Sequence, residues 1–465
     1  MLDPSILKEL RTIVGSDHLF TSPEELAVYS YDATRVSSLP WAVARPATAL
    51  EVSRIVQLAN KHRFPVIPRG AGTGMSGGSV PAKGGVVLSF ERMDLILDID
   101  VLNRIAIVQP GVITGDLHAA VEAKGLFYPP DPASSGFCTI GGNVAECAGG
   151  LRAVKYGVTR DYVLGLEVVL PTGEIIRTGS RTHKSVAGYD LTRLIVGSEG
   201  TLGIATEIVL RLIPAPESIR TLAAFFLDAG GALAVLPMIT TAGILPRALE
   251  FVDQGALRAA EQHLGWELSD GTAAMLLIET DGSMTSARAE ITRTEEFCAA
   301  AGAVKVVRAD EPGERDRLWK LRRSISPALY ALKPGKLNED IVVPLSRIAD
   351  ILGEINSIAK KHDLLIVNFG HAGDGNIHVN VMYDDGERTR AESAVSAILT
   401  AVVRMQGSIS GEHGIGLSKA QYLPLETGDE AITVMKKIKQ ALDPNNIMNP
   451  GKIFLSAERG VRSAE

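Results

Sequence analysis

The chain is poor in the residues that staple, thread or charge a protein. Its three cysteines, Cys138, Cys147 and Cys298, are odd in number and include no C-x-x-C. That excludes a disulfide framework and any iron–sulfur cluster held by this chain's own thiolates, and a reducing, cytoplasmic setting is expected. Basic residues are outnumbered 47 to 54 by acidic ones and form no block that could track a phosphate backbone, so nucleic acid is not an expected partner. No apolar run is long and clean enough to span a bilayer. The best, Leu222 to Pro246, is broken by Asp228, Gly230–Gly231 and Pro237 and reads as strand, turn and helix. Met1 to Leu10 lacks a basic start followed by an apolar run, so no signal peptide is expected.

What is present is the composition of a globular protein, 46% hydrophobic and 22% charged over 465 residues, enough for two to four domains. Thr21-Ser22-Pro23-Glu24-Glu25 predicts a helix start with Ser22 as N-cap. Strand, helix and strand signals at 41–44, 50–62 and 65–67 describe an α/β unit, a similar segment runs from Arg104 to Gly125, and Leu164–Leu170 with Glu174–Arg177 reads as a hairpin. Pro214-Ala215-Pro216 reads as a linker. Beyond it, strands at 221–226, 247–252, 273–280 and 303–308 alternate with helices, as in a ferredoxin-like cap. Residues 458–465 read as a polar tail.

The 46 glycines cluster instead of recurring. Pro68-Arg69-Gly70-Ala71-Gly72-Thr73-Gly74-Met75-Ser76-Gly77-Gly78 follows a strand, where side-chain-free backbone amides can face a pyrophosphate. It runs on into Ser79-Val80-Pro81 instead of a helix, so it is not a Rossmann fingerprint, and no Walker A loop is present. Two further clusters, around Pro129–Ala145 and Gly197–Ile204, suggest one bulky ligand approached several times.

These motifs resemble the flavoproteins of the vanillyl-alcohol-oxidase type, and Thr139–Asn143, Tyr156–Asp161 and Gly197–Gly203 resemble their FAD-linked D-2-hydroxyacid dehydrogenases. The resemblance implies an α+β fold: a two-subdomain FAD-binding domain with N-terminal helices over 1–216, an α+β cap carrying substrate and metal over 217–410, and a helical segment returning to the flavin over 411–465. It implies FAD along Pro68, Arg69, Gly70, Ala71, Gly72, Thr73, Gly74, Ser76, Gly77, Pro132, Ser135, Thr139, Gly141, Gly142, Asn143, Ala145, Gly149, Gly157, Glu199, Gly200, Gly203, Ile204 and Asn449. The loop 69–76 has no His, Cys or Tyr to carry a covalent link, so the flavin is expected to be non-covalent.

Asn368 to Asn380 holds two histidines around Ala372-Gly373-Asp374-Gly375. If those four residues turn a hairpin, His371 pairs with Asn376, and Asn376, His378 and Asn380 share its face. His371 and His378 are then diagonal neighbours, their Cβ atoms about 7–8 Å apart or less. Ser410-Gly411-Glu412-His413-Gly414 adds a carboxylate and another imidazole. A strand histidine is more often structural, but the trio can also form a His2Glu site for Zn, Mn or Fe(II). In the resembled dehydrogenases the residues matching His371, His378 and Glu412 hold a divalent ion. Arg322, in Leu321–Ser326, matches an arginine that binds the substrate carboxylate. Ser326 stands where threonine is common, and Lys336 is the lysine nearest Asn338.

The resemblance implies oxidation of a small D-2-hydroxy acid, D-lactate or glycolate, by hydride transfer to flavin. His413 is the expected base, with Glu412 or metal-bound hydroxide as alternatives, and Asn380 joins Arg322 and Ser326 in the catalytic set. Electrons are expected to pass to an electron-transferring flavoprotein, an iron–sulfur subunit or a quinone, at the membrane only through a partner, in a homo- or hetero-oligomer. D-2-hydroxyglutarate is the alternative substrate. A metal-dependent hydrolase would leave the glycine loops idle, and a non-redox flavoprotein transferase would use the same scaffold without bleaching.

Overall fold

A computed structural model describes residues 2–34, 36–265 and 271–455. The polar tail at 458–465 lies outside them. The chain divides into two compact units, the first built from Met1–Gly149, Val158–Ala215 and Glu412–Glu465, the second from Gly150–Gly157 and Pro216–Gly411.

The first unit opens with helices Pro4–Val14, capped by Asp3, and Pro23–Val28, where Ser22 is the N-cap its sequence predicts and Glu25 completes a reciprocal capping box. Two sheets follow. Strands Ala42–Ala44, Val86–Ser89 and Val66–Arg69 pair in parallel and bury nearly every residue, as a sheet covered on both faces must. Helix Ala49–His62 joins the first to the third, turning Val52, Ile55, Val56 and Ala59 into a core shared with Val66, Val86, Leu88 and Met448. The other sheet is antiparallel, in the order Ile96–Asp100, Ile105–Val108, Ile204–Arg211, Val163–Val169, Ile175–Gly179. Pro214, read as linker, lies in a short strand, Ile213–Pro214, paired with Leu126–Phe127.

In the second unit the α+β alternation is carried on one antiparallel sheet of seven strands, larger than a single ferredoxin-like repeat. Its order is Lys305–Ala309, Ser218–Phe226, Ala274–Gly282, Ala248–Asp253, Leu365–His371, Asn376–Tyr383, Gly335–Val342. The hairpin at 371–376 and the strand after Lys333 extend the repeat by three strands. Helices Gln254–Leu264 and Pro312–Ala328 bury Leu257, Ala260, Leu321 and Ile325 against Val252, Val367 and Phe369. The stretch Leu222 to Pro246 is strand, turn and helix, with Pro237 inside the helix Ala229–Thr241. Among the described residues no helix is long and apolar enough to cross a membrane.

Candidate functional site

In the first unit the three glycine clusters line one cleft enclosing about 1380 Å³, its open mouth included. The strand Val66–Arg69 delivers the loop 70–74 into it. A Cβ on Gly70 would stand 2.2 Å from Thr139 Oγ1, so the loop packs backbone-first on the turn that starts helix Ile140–Glu146. Thr139 Oγ1 accepts from the Gly142 amide at 3.2 Å, and Asn143 donates to Thr114 Oγ1 at 2.7 Å. Arg69 also faces the cleft, but its guanidinium is buried and donates to the Tyr31 carbonyl at 2.7 Å and Ser79 Oγ at 3.1 Å, so it braces the loop. Burial lowers its pKa against the pull of Asp32.

Pro68, Arg69, Gly70, Ala71, Gly72, Thr73, Gly74, Pro132, Thr139, Gly141, Gly142, Asn143, Ala145, Gly149, Glu199, Gly200, Gly203 and Ile204 all line this cleft, with Glu412 and His413. Ser76, Gly77, Ser135, Gly157 and Asn449 do not. The Ser76 carbonyl accepts the amides of Leu417 and Ser418 at 2.7 and 3.1 Å, and Gly77 backs onto Leu417. Asn449 ties two cleft loops together, donating to the carbonyls of Gly78 and Glu199 at 2.9 and 2.8 Å. Gly157 belongs to the second unit. Sequence reading passed over Phe90, Pro110, Glu146, Ala148, Ile195 and Ala205, which also line the cleft and lie outside the glycine clusters.

Glu199 is also more than a lining residue. Its carboxylate accepts the amides of Ile415 and Gly416, both at 2.7 Å, which holds the segment carrying Glu412 and His413. Burial raises its pKa despite those two amides and the lysines Lys452 and Lys419. Gly416 has φ +50°, and a Cβ there would meet the Ser76 carbonyl at 2.2 Å, so no larger residue fits. His413 Nε2 stands 3.8 Å from Glu412 Oε1, too far for a hydrogen bond.

The second unit holds a different centre. The hairpin register is the one read from the sequence, His371 opposite Asn376, and it continues with Phe369 opposite His378 and Val367 opposite Asn380. On the far side His371 lies opposite Glu250. Directly opposed residues share a face, so Glu250, His371, Asn376, His378 and Asn380 form one buried polar stripe. The two imidazoles meet edge to face with Nε2 atoms 3.4 Å apart. Glu250 Oε1 lies 2.6 Å from His371 Nδ1, and Oε2 accepts from Arg322 Nε at 2.8 Å and Nη2 at 2.6 Å. Burial pushes the Glu250 carboxyl up, but His371 and Arg322 outweigh it and hold the pKa at about 2. A carboxylate accepts the Nδ1–H of the ring it faces, so a neutral His371 would carry its lone pair on Nε2. Two Nε2 atoms 3.4 Å apart, when both carry lone pairs, are a donor set that suits a divalent ion.

Helix Pro312–Ala328 buries Arg322, which also stacks over Phe369 at 4.7 Å, and leaves Arg323 exposed. Ser326, one turn on, accepts from Lys336 Nζ at 3.0 Å. Asn380 is fully buried, its amide donating to the Val367 carbonyl and its oxygen accepting from Asn338. These bonds fix the Asn380 side chain within the polar stripe. Glu250 was missed in the sequence. Its one signal is an acid set between Leu249 and Phe251 in the interior of a strand whose first five residues are buried.

Residues 40–179 match the family described as FAD binding domain, and 215–453 that described as FAD linked oxidases, C-terminal domain. Among curated proteins, the chain is 46% identical to a glycolate oxidase subunit GlcD of Bacillus subtilis, covering 99% of this chain and 98% of that one. It is 39% identical to a D-lactate dehydrogenase of Anaerostipes hadrus, covering 95% and 94%. Among solved structures, p-cresol methylhydroxylase with substrate bound superposes with a TM-score of 0.80 at 19% identity, covering 98% of each chain, a likeness of fold.

Proposed function

Because the chain belongs to the FAD-linked oxidases of the vanillyl-alcohol-oxidase type, we propose that it oxidises a small D-2-hydroxy acid, D-lactate or glycolate, to the 2-oxo acid. The observation that carries this reading is the pairing, in one buried stripe, of a guanidinium with two adjoining imidazoles. A 2-hydroxy acid presents a carboxylate and a hydroxyl on neighbouring carbons, and the two groups call for a cation of fixed fork geometry and a Lewis-acid centre.

In this reading the glycine-lined cleft holds FAD non-covalently, since no nucleophilic ring or thiol stands in its loop 69–76. His371 and His378 supply two ligands for Zn, Mn or Fe(II). Glu412 supplies the third. It follows Gly411 by one peptide bond, about 3.8 Å between Cα atoms, and the Gly411 amide is fixed by Asp340 Oδ2 at 2.8 Å. When bound, FAD supplies the hydride acceptor and the ion lowers the cost of deprotonating the hydroxyl. Arg322 grips the carboxylate with the three N–H donors that Glu250 leaves it. His413 Nε2 takes the hydroxyl proton. Electrons leave to a partner protein or a quinone.

Lys336 and Ser326 favour one second reading. Ser326 lies one helical turn after Arg322, and Lys336, on the strand Gly335–Val342, donates to it, a cation for the far carboxylate of a longer diacid such as D-2-hydroxyglutarate.

The test is anaerobic mixing of the purified yellow protein with D-lactate, glycolate, D-2-hydroxyglutarate and their L-forms. Bleaching of the flavin by a D-acid or glycolate is expected, and acid precipitation of the same sample should release all the colour. No bleaching by any of them would overturn the reading and leave the transferase or hydrolase alternatives.

A further inference from the structure

Glu250 touches both halves of the buried centre with separate oxygens, Oε1 to His371 and Oε2 to Arg322. We propose that Glu250 is a positioning residue that sets the His371 Nε2 and the Arg322 guanidinium at one spacing, that of the hydroxyl and carboxylate of a 2-hydroxy acid. This rests on the function proposed above.

Two independent restraints follow from the geometry. A carboxylate behind Nδ1 fixes both the tautomer and the rotation of a ligating imidazole, and makes Nε2 a better donor. Pairing with Nε and Nη2 fixes the plane of the guanidinium, which Phe369 flanks at 4.7 Å. Because one side chain makes both contacts, a shift at either end is felt at the other. A buried pair kept only for stability needs no such arrangement. Apolar residues of similar volume serve as well, and Leu249 and Phe251 on either side of Glu250 are apolar.

Glu250→Gln keeps the shape but has one acceptor oxygen, so it can serve His371 or Arg322 and not both. Titration with Mn²⁺, followed by loss of the free-ion paramagnetic resonance signal, should show affinity weakened roughly 10- to 100-fold. FAD content should be unchanged, and excess Mn²⁺ should restore part of the bleaching rate, which a folding defect would not allow. Combined with Arg322→Ala, the losses in kcat/KM should fall short of the product of the single losses. Wild-type Mn²⁺ affinity together with multiplicative losses would overturn the proposal, and Glu250→Asp takes the same measurements if Glu250→Gln does not fold. If the wild type and His371→Ala bind Mn²⁺ alike, the metal reading fails and the cycle with Arg322 alone decides for or against Glu250. If no 2-hydroxy acid bleaches the flavin, the substrate reading fails and the Mn²⁺ titration alone decides.

Discussion

Two buried charge clusters share the seven-stranded sheet, and they differ in what their members can still do. In the first, Asp281 accepts from Arg247 Nη1 at 2.6 Å, Tyr156 at 2.8 Å and Lys155 at 2.5 Å. Its neighbour Glu279 accepts from Trp319 and Thr221, both at 2.7 Å, and faces Arg247 Nε at 3.3 Å. Every partner there, guanidinium, ammonium, indole or hydroxyl, donates to a carboxylate, and none is an imidazole. The second cluster, Glu250 with Arg322 and His371, ends in imidazoles, which can present a lone pair to something else. Burial and charge therefore do not mark a site. The chemistry of the groups at the end of the network does.

The largest effect should come from breaking the first cluster. Asp281→Ala takes a fully buried carboxylate away from Arg247 and should cost roughly 3–5 kcal/mol of stability. It should be read as a lower denaturation midpoint with the turnover of folded molecules unchanged. Unchanged stability with lost turnover would place that cluster, too, in the chemistry.

Arg322→Ala should act the other way. A charge-assisted hydrogen bond is worth roughly 1.5–3 kcal/mol, so kcat/KM should fall at least ~10-fold with FAD retained. Arg322→Lys should lie between, since the charge survives and the fork does not. Arg323→Ala, at an exposed position, should match the wild type. Equal effects at 322 and 323 would dissolve the distinction between a buried anchor and a solvated helix face.

The smallest effect sharpens the contrast within one strand. Three residues after Glu250, Asp253 caps helix Gln254–Leu264 and accepts the Asn368 amide at 2.6 Å. Burial raises its pKa from 3.8 to about 6 despite those hydrogen bonds. The folded state then holds the proton more tightly than the unfolded one. Its contribution is complete below about pH 4 and is lost as pH rises through about 6, by no more than about 1.4 kcal/mol per pH unit. Asp253→Asn should flatten that part of the stability profile. An identical slope in the variant would show that another group titrates there.

Much of the local geometry is legible in the sequence because its causes are local. The register of His371 against Asn376 follows from a four-residue turn and period-2 alternation, and the Ser22 N-cap from the Pro23 that opens the helix after it. Glu250 is not legible because its partners are 72 and 121 residues away. Only strand order brings them together. The choice between Arg322 and Arg323 needs the phase of a helix against a sheet. Ser76, Gly77 and Asn449 were placed along the cofactor by the family resemblance. Their contacts instead run to Leu417, Ser418 and the backs of two cleft loops, which no spacing reveals.

The clamp of Glu199 on the amides of Ile415 and Gly416 joins residues 216 and 217 positions apart, with most of the second unit encoded between them. It bears on the order of events during synthesis. A growing chain that has passed Ala215 still lacks the strap that closes its first unit. The stretch from Pro216 to Gly411 emerges meanwhile with all seven strands of its own sheet. Domains generally condense as they leave the ribosome. Here the part begun first is necessarily finished last, and the glycine-lined cleft takes its final form only after residue 416 has been added.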